Sequence, residues 1–129
     1  MTTAGALRRE AVEAPGLGHP QPIPVAVWVG GVLHSSPIGP RRADGTIPGE
    51  LETQLAVTFE NLALLLESAG AAREAVGFVN VQLADPADRE AFNAHWVRFF
   101  ADDPRPARQV SRVELPQGVR VLLTVTAYR

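Results

Sequence analysis

The feature that most restricts the fold is a change of hydrophobic period along the chain. Leu51, Leu55, Phe59, Leu62 and Leu66 recur at three- and four-residue steps, and Gly70 follows as a stop. That spacing predicts a helix from about Glu50 to Ala69. Asp85 and Pro86 predict a second helix start, with the aspartate as cap and the proline in the first turn. Phe92, Trp96, Phe99 and Phe100 then share one face until Asp102, Asp103 and Pro104 end the pattern. Between the helices Val79, Val81 and Leu83 alternate with Phe78, Asn80 and Gln82, which is the two-residue period of a strand buried on one side. Strands are also predicted over 25–35, bent at Gly30 and Gly31, over 110–115, and over 119–127, with Pro116, Gln117 and Gly118 as the last turn. Pro37 to Gly49 reads as a loop. The Pro- and Gly-rich stretch that closes residues 1–24 predicts a flexible lead-in, leaving 25–129 as a single domain.

These elements predict an α+β chain, a single mixed β-sheet with two helices packed on one face. Two helices cannot cover both faces, and the strands are apolar enough that a second copy is the expected cover. A core of this size needs no metal or disulfide staple.

Composition narrows the chemistry. The chain has no cysteine, which removes thiolate nucleophiles, disulfides and thiolate metal sites. It has no lysine either, so all 12 basic residues are arginine and no side chain can form a Schiff base. His19, His34 and His95 are scattered without ligand spacing, so no metal is expected. A net charge of −2 gives no basic footprint for nucleic acid. No apolar run is long enough for a membrane span, and no apolar segment follows Arg8 and Arg9 as a secretory signal would require, so a cytoplasmic location is expected.

Four motifs in order resemble the RidA/YjgF family. Ser35-Ser36-Pro37-Ile38 is similar to its SGQIP loop. Glu52-Thr53-Gln54, continuing through Glu60-Asn61-Leu62 to Leu66-Glu67-Ser68-Ala69-Gly70, is similar to its AQ…ENL…LEAAG helix. Asp85 to Asn93, with Trp96, Phe99 and Phe100, resembles D…VNxxYxxFF. Pro106-Ala107-Arg108 with Val113 to Gly118 resembles PAR…V..LP.G. The resemblance spans about residues 22–128. It implies a chorismate-mutase-like fold, a homotrimer with a central barrel, and a small carboxylate held in each intersubunit cleft. The activity it implies is cofactor-free hydrolysis of reactive enamines and imines to 2-oxoacids and ammonia, of the 2-iminobutanoate or 2-iminopropanoate deaminase type.

The resemblance assigns substrate contacts to Arg108, Ser35, Asn93 and Trp96. By itself Arg108 fits a surface ion pair as well, but its place in the motif makes it the fork for a carboxylate. Ser35 fits a cap at a strand end equally well. Asn93 fits a structural hydrogen bond, and Trp96 fits core packing. Departures cluster in the expected pocket. Leu122 stands where typical members carry a proton-handling glutamate, and it is the one large aliphatic on a strand face with Arg120, Thr124 and Thr126. The PYS tyrosine is absent from Pro20 to Pro24, Ser36-Pro37 replaces Gly-Gln, and Val110 replaces a frequent cysteine. Glu60, Glu114 and His34 are the remaining proton-acceptor candidates. Asp44 and Asp88 read as loop and helix-start residues. Three readings follow: a deaminase, a non-catalytic carboxylate-binding trimer, and an interaction protein with a vestigial cleft. Ribonuclease action finds no phosphate-binding stripe.

Overall fold

The structure, a computed structural model, describes residues 6–129. Its six strands are β1 Arg9–Val12, β2 Ala26–Val29, β3 Val32–Ser35, β4 Val76–Leu83, β5 Ala107–Arg112 and β6 Val121–Tyr128. Helix α1, Leu51–Ala69, precedes β4, and α2, Arg89–Phe99, follows it after a 3-10 turn at Pro86–Asp88. The strands form one mixed sheet in the order β1-β2-β3-β6-β4-β5, with only β4 and β5 parallel.

Both helices lie on one face. Leu55, Phe59, Leu62, Leu65 and Leu66 of α1 and Phe92 and Trp96 of α2 bury themselves against Val79, Val81, Leu83, Val121, Leu123 and Val125. Fully burying each such side chain contributes about 1.5–3 kcal/mol. Gly70 takes the left-handed conformation that ends α1, at φ 71°. Gly30 takes φ 56° at the two-residue β2–β3 turn.

Two expectations need correction. Residues 1–24 are not wholly an irregular lead-in, because Arg9–Val12 pairs antiparallel with β2 and buries Val12. A short, charged strand has no period of its own to read; its partner's free edge makes it a strand. The first five residues of that segment lie outside the described residues. The second correction concerns Pro116 to Gly118, which do not join neighbouring strands. β5 and β6 flank β4 on opposite sides, so the turn carries the chain across the end of β4.

The open face is also more polar than expected. Its central rows read His34–Thr126–Phe78, Thr124–Asn80–Gln109 and Leu122–Gln82–Ser111. Phe78, Leu122 and Tyr128 interrupt that polarity, as do Val27, Val29 and Val32 toward the other edge, so the apolar surface there is patchy.

Side-chain bonds lock the connections near β6. Gln54, at the start of α1 and fully buried, donates Nε2 to the carbonyls of Pro48 and Gly118 at 2.8 and 2.7 Å. Its Oε1 accepts from Arg120 N at 2.9 Å. Asp88 is not a plain helix-start residue. It is buried, and Arg120 donates to both its oxygens, Nε to Oδ2 at 3.1 Å and Nη2 to Oδ1 at 2.9 Å. Asn61 of α1 donates Nδ2 to the carbonyls of Gly39 and Arg41, holding the loop after β3. Among the described residues no helix is long and apolar enough to cross a membrane.

Candidate functional site

The site begins where the chain leaves α2. Arg105 donates Nε to the Phe100 carbonyl at 2.8 Å, which turns the backbone into β5, the free edge strand. Within β5, Arg108 pairs with Val79 and so faces the helices, beneath α2. Trp96 shares a side of that helix with Phe92, four residues before it, and with Asn93, three before it, and all three reach Arg108.

Arg108 is held from several directions. Its Nη2 donates to Asn93 Oδ1 at 2.6 Å. Its guanidinium lies 4.9 Å from the Trp96 ring centre and 5.5 Å from that of Phe92, within the range of cation–π attraction. Trp96 packs in turn against Phe92 and Phe100. The guanidinium is half-buried and makes no ion pair among the described residues. Burial first, and the charge of Arg89 second, hold it below its ordinary pKa. A guanidinium stays charged at neutral pH even so. The arrangement is therefore an oriented cation, partly stripped of water, with one donor used and the rest of its fork uncommitted.

The four expected contact residues fall into two groups. Arg108, Asn93 and Trp96 come together. Trp96 is core and also lies against the Arg108 guanidinium, and Asn93 makes the structural hydrogen bond to it. Ser35 does not join them within one protomer. It lies on the same row of the sheet, but buried Val125 and Val79 stand between it and Arg108. Three strand spacings make that separation about 14 Å. Its Oγ accepts from the Val125 amide at 2.8 Å, the capping role open from the start.

Leu122 lies on the other side of the sheet, half-buried against the loop after β3. A methyl group built on Gly39 would come within 2.6 Å of Leu122 Cδ2, so only glycine leaves the leucine its place. Leu122 lines a cavity of about 260 Å³ with Leu17, Ile38, Leu65 and Val119, and Ser36 and Asn61 at its polar parts. This apolar cavity and the Arg108 cluster are separate within the protomer. None of the proton-acceptor candidates stands at Arg108: His34 is exposed on the open face, and Glu60 and Glu114 are exposed elsewhere. His95 is committed too. Arg98 can only donate to its Nδ1, so its Nε2 carries the proton given to Glu52 at 3.1 Å.

Sequence reasoning missed Arg89, one helical turn before Asn93, although that spacing was available to find it.

Comparison with known proteins assigns the fold a lineage. Residues 22–129 match the family described as Endoribonuclease L-PSP. The chain belongs to this family, that of the RidA/YjgF proteins. RidA from the Antarctic bacterium Psychrobacter superposes with a TM-score of 0.87 at 25% identity, covering 94% of this chain and 100% of its own. A conserved Rid-family protein from Yersinia pestis, YyfA, gives 0.89 at 21% identity, covering 95% and 100%, and supports the fold alone. Protein mmf2, mitochondrial, of Schizosaccharomyces pombe is 35% identical over 83 residues, 64% of this chain. That match spans 65% of mmf2, just under two thirds of its length.

Proposed function

We propose that this RidA-family chain is a hydrolytic deaminase of small 2-imino acids and their enamines, yielding 2-oxoacids and ammonia. The observation that carries the proposal is Arg108: oriented by Asn93, backed by Trp96, half-buried and without a carboxylate partner among the described residues. Such a fork lacks a partner of the kind it matches best, and the carboxylate of an imino acid is one. Holding that carboxylate fixes the adjacent C=N carbon. Water then adds to the carbon while the nitrogen gains a proton, giving a carbinolamine. Collapse of the carbinolamine breaks the C–N bond, releases ammonia and leaves the 2-oxoacid. Imines hydrolyse readily, so positioning the acid and one water already lowers the barrier. No cofactor enters.

We place the substrate in a cleft completed by another copy of the chain, in a homotrimer. Arg108 sits on the free edge strand and Ser35 lies about 14 Å away across the sheet, so one protomer alone cannot bring them to one ligand. Asn80 Oδ1, buried on the open face without a hydrogen-bond partner, fits a face that another copy completes. The family description as an endoribonuclease is not carried over, because a net charge of −2 and the lack of a basic stripe among the described residues favour a small acid over an RNA backbone.

Leu122 favours a second reading, a trimer that binds a small carboxylate without turning it over, since a leucine can neither take nor give a proton. Both readings share Arg108, and a melting experiment tests it. 2-Oxobutanoate at 100 times its dissociation constant stabilises by about 2.7 kcal/mol, and Arg108→Ala abolishes that shift. An equal shift in the variant would place the acid elsewhere and end the proposal.

A further inference from the structure

Arg89 opens α2, and Asn93 follows it by four residues, so the two side chains share a helix face with an axial offset of about 6 Å. Asn93 is the residue that touches Arg108, at 2.6 Å. Arg89 therefore stands one helical turn from Asn93, on the helix face that Asn93 turns toward Arg108. Of the two carboxylates next to it in sequence, Asp88 has both oxygens taken by Arg120 and Glu90 makes no ion pair with Arg89. Arg89 itself makes no ion pair among the described residues. The charge of Arg89 is felt at Arg108, whose pKa it lowers further. Two like charges beside a half-buried site oppose each other until an anion arrives between them.

Resting on the reading of Arg108 as the carboxylate anchor, we propose that this site selects an acid with two anionic groups, a 2-imino or 2-oxo dicarboxylate. One carboxylate takes the Arg108 fork and the second takes Arg89. The carboxyl carbons of an extended four- or five-carbon dicarboxylate lie about 4 and 5 Å apart with C–C bonds near 1.5 Å, close enough to the one-turn offset for two long arginine side chains to reach both ends. An aliphatic monocarboxylate leaves Arg89 without a partner. The imine would then come from two-electron oxidation of the amine of an acidic amino acid by a separate amine-oxidising enzyme that supplies its own electron acceptor.

Titration calorimetry with 2-oxobutanoate and 2-oxoglutarate tests this, on the full chain and on Arg89→Gln and Arg108→Ala. The unaltered protein is expected to bind the dicarboxylate about tenfold more tightly. Arg89→Gln is expected to bring the ratio to about one while keeping the affinity for 2-oxobutanoate, which also shows that the variant is folded. Equal affinities in the unaltered protein overturn the inference and leave the Arg108 anchor standing. A ratio unchanged by Arg89→Gln, or a smaller assembly in that variant, also overturns it, the latter by placing Arg89 in an interface. Undiminished 2-oxobutanoate binding in Arg108→Ala overturns the anchor itself.

Discussion

Asp88→Asn removes the charge from the best-buried ion pair in the fold while keeping the shape of the side chain. Asp88 is 6% exposed and Arg120 38% exposed at the side chain. The pair joins the start of α2 to the segment entering β6. Breaking a fully buried pair from one side costs about 3–5 kcal/mol. Here the stranded partner, Arg120, reaches water, and an asparagine oxygen still accepts one of the two bonds. The expected loss is therefore about 2 kcal/mol, toward the range of a single charged hydrogen bond. At the usual unfolding entropy per residue, a chain of this length loses about 7 °C of melting temperature for 2 kcal/mol. Calorimetric melting measures the shift. A double-mutant cycle with Arg120→Met separates the pair from its surroundings, and a coupling of about 1–2 kcal/mol is expected for groups in direct contact. A drop below about 2 °C (at 3–4 °C per kcal/mol), or fully additive single variants, would show that the pair contributes nothing and refute the reasoning.

Three further outcomes follow from the geometry. Gln54→Leu leaves the carbonyls of Pro48 and Gly118 and the Arg120 amide without their partner, so it should cost about 3 kcal/mol in chemical denaturation; a cost under 1 kcal/mol would mean water replaces the amide. Light scattering at micromolar concentration should give three times the chain mass, and a monomer mass would contradict the completed cleft. Leu122→Glu puts a half-buried carboxylate beside Ile38 and Gly39 and should raise imine hydrolysis about a hundredfold, the lower end of what a general acid or base supplies; an unchanged rate in a folded variant would show that residue 122 does not reach the substrate.

The sequence made the fold legible wherever a long periodic segment decided it. α1, α2, β4 and β6 each carry several buried residues at fixed spacing, and Gly30 and Gly70 mark turns that only a left-handed residue fits. β1 was illegible because four residues, REAV, contain no period and become a strand only through β2. The parallel β4–β5 pair was hidden because a Pro-Gln-Gly turn looks alike whether it joins neighbours or crosses a strand. Arg108, Asn93 and Trp96, expected from motif position, lie together in the structure. Gln54 and Asp88 escaped because a polar residue inside a helix pattern looks solvated until the chain brings Arg120 to it. Ser35 shows the reverse case, a motif residue whose hydroxyl the protomer uses on its own backbone.

The central claim is that a carboxylate held by Arg108 leads to hydrolysis of the neighbouring imine. An amino-acid oxidase generating 2-iminobutanoate in situ, with semicarbazide trapping the free imine, tests it directly. The chain should lower semicarbazone formation in a dose-dependent way while releasing 2-oxobutanoate and ammonia. Arg108→Ala should return the trace to the uncatalysed rate. Loss of the effect in Arg108→Ala alone, with its melting temperature unchanged, is the predicted result. Semicarbazone formation that the unaltered chain does not change, or that Arg108→Ala lowers equally well, would contradict the account.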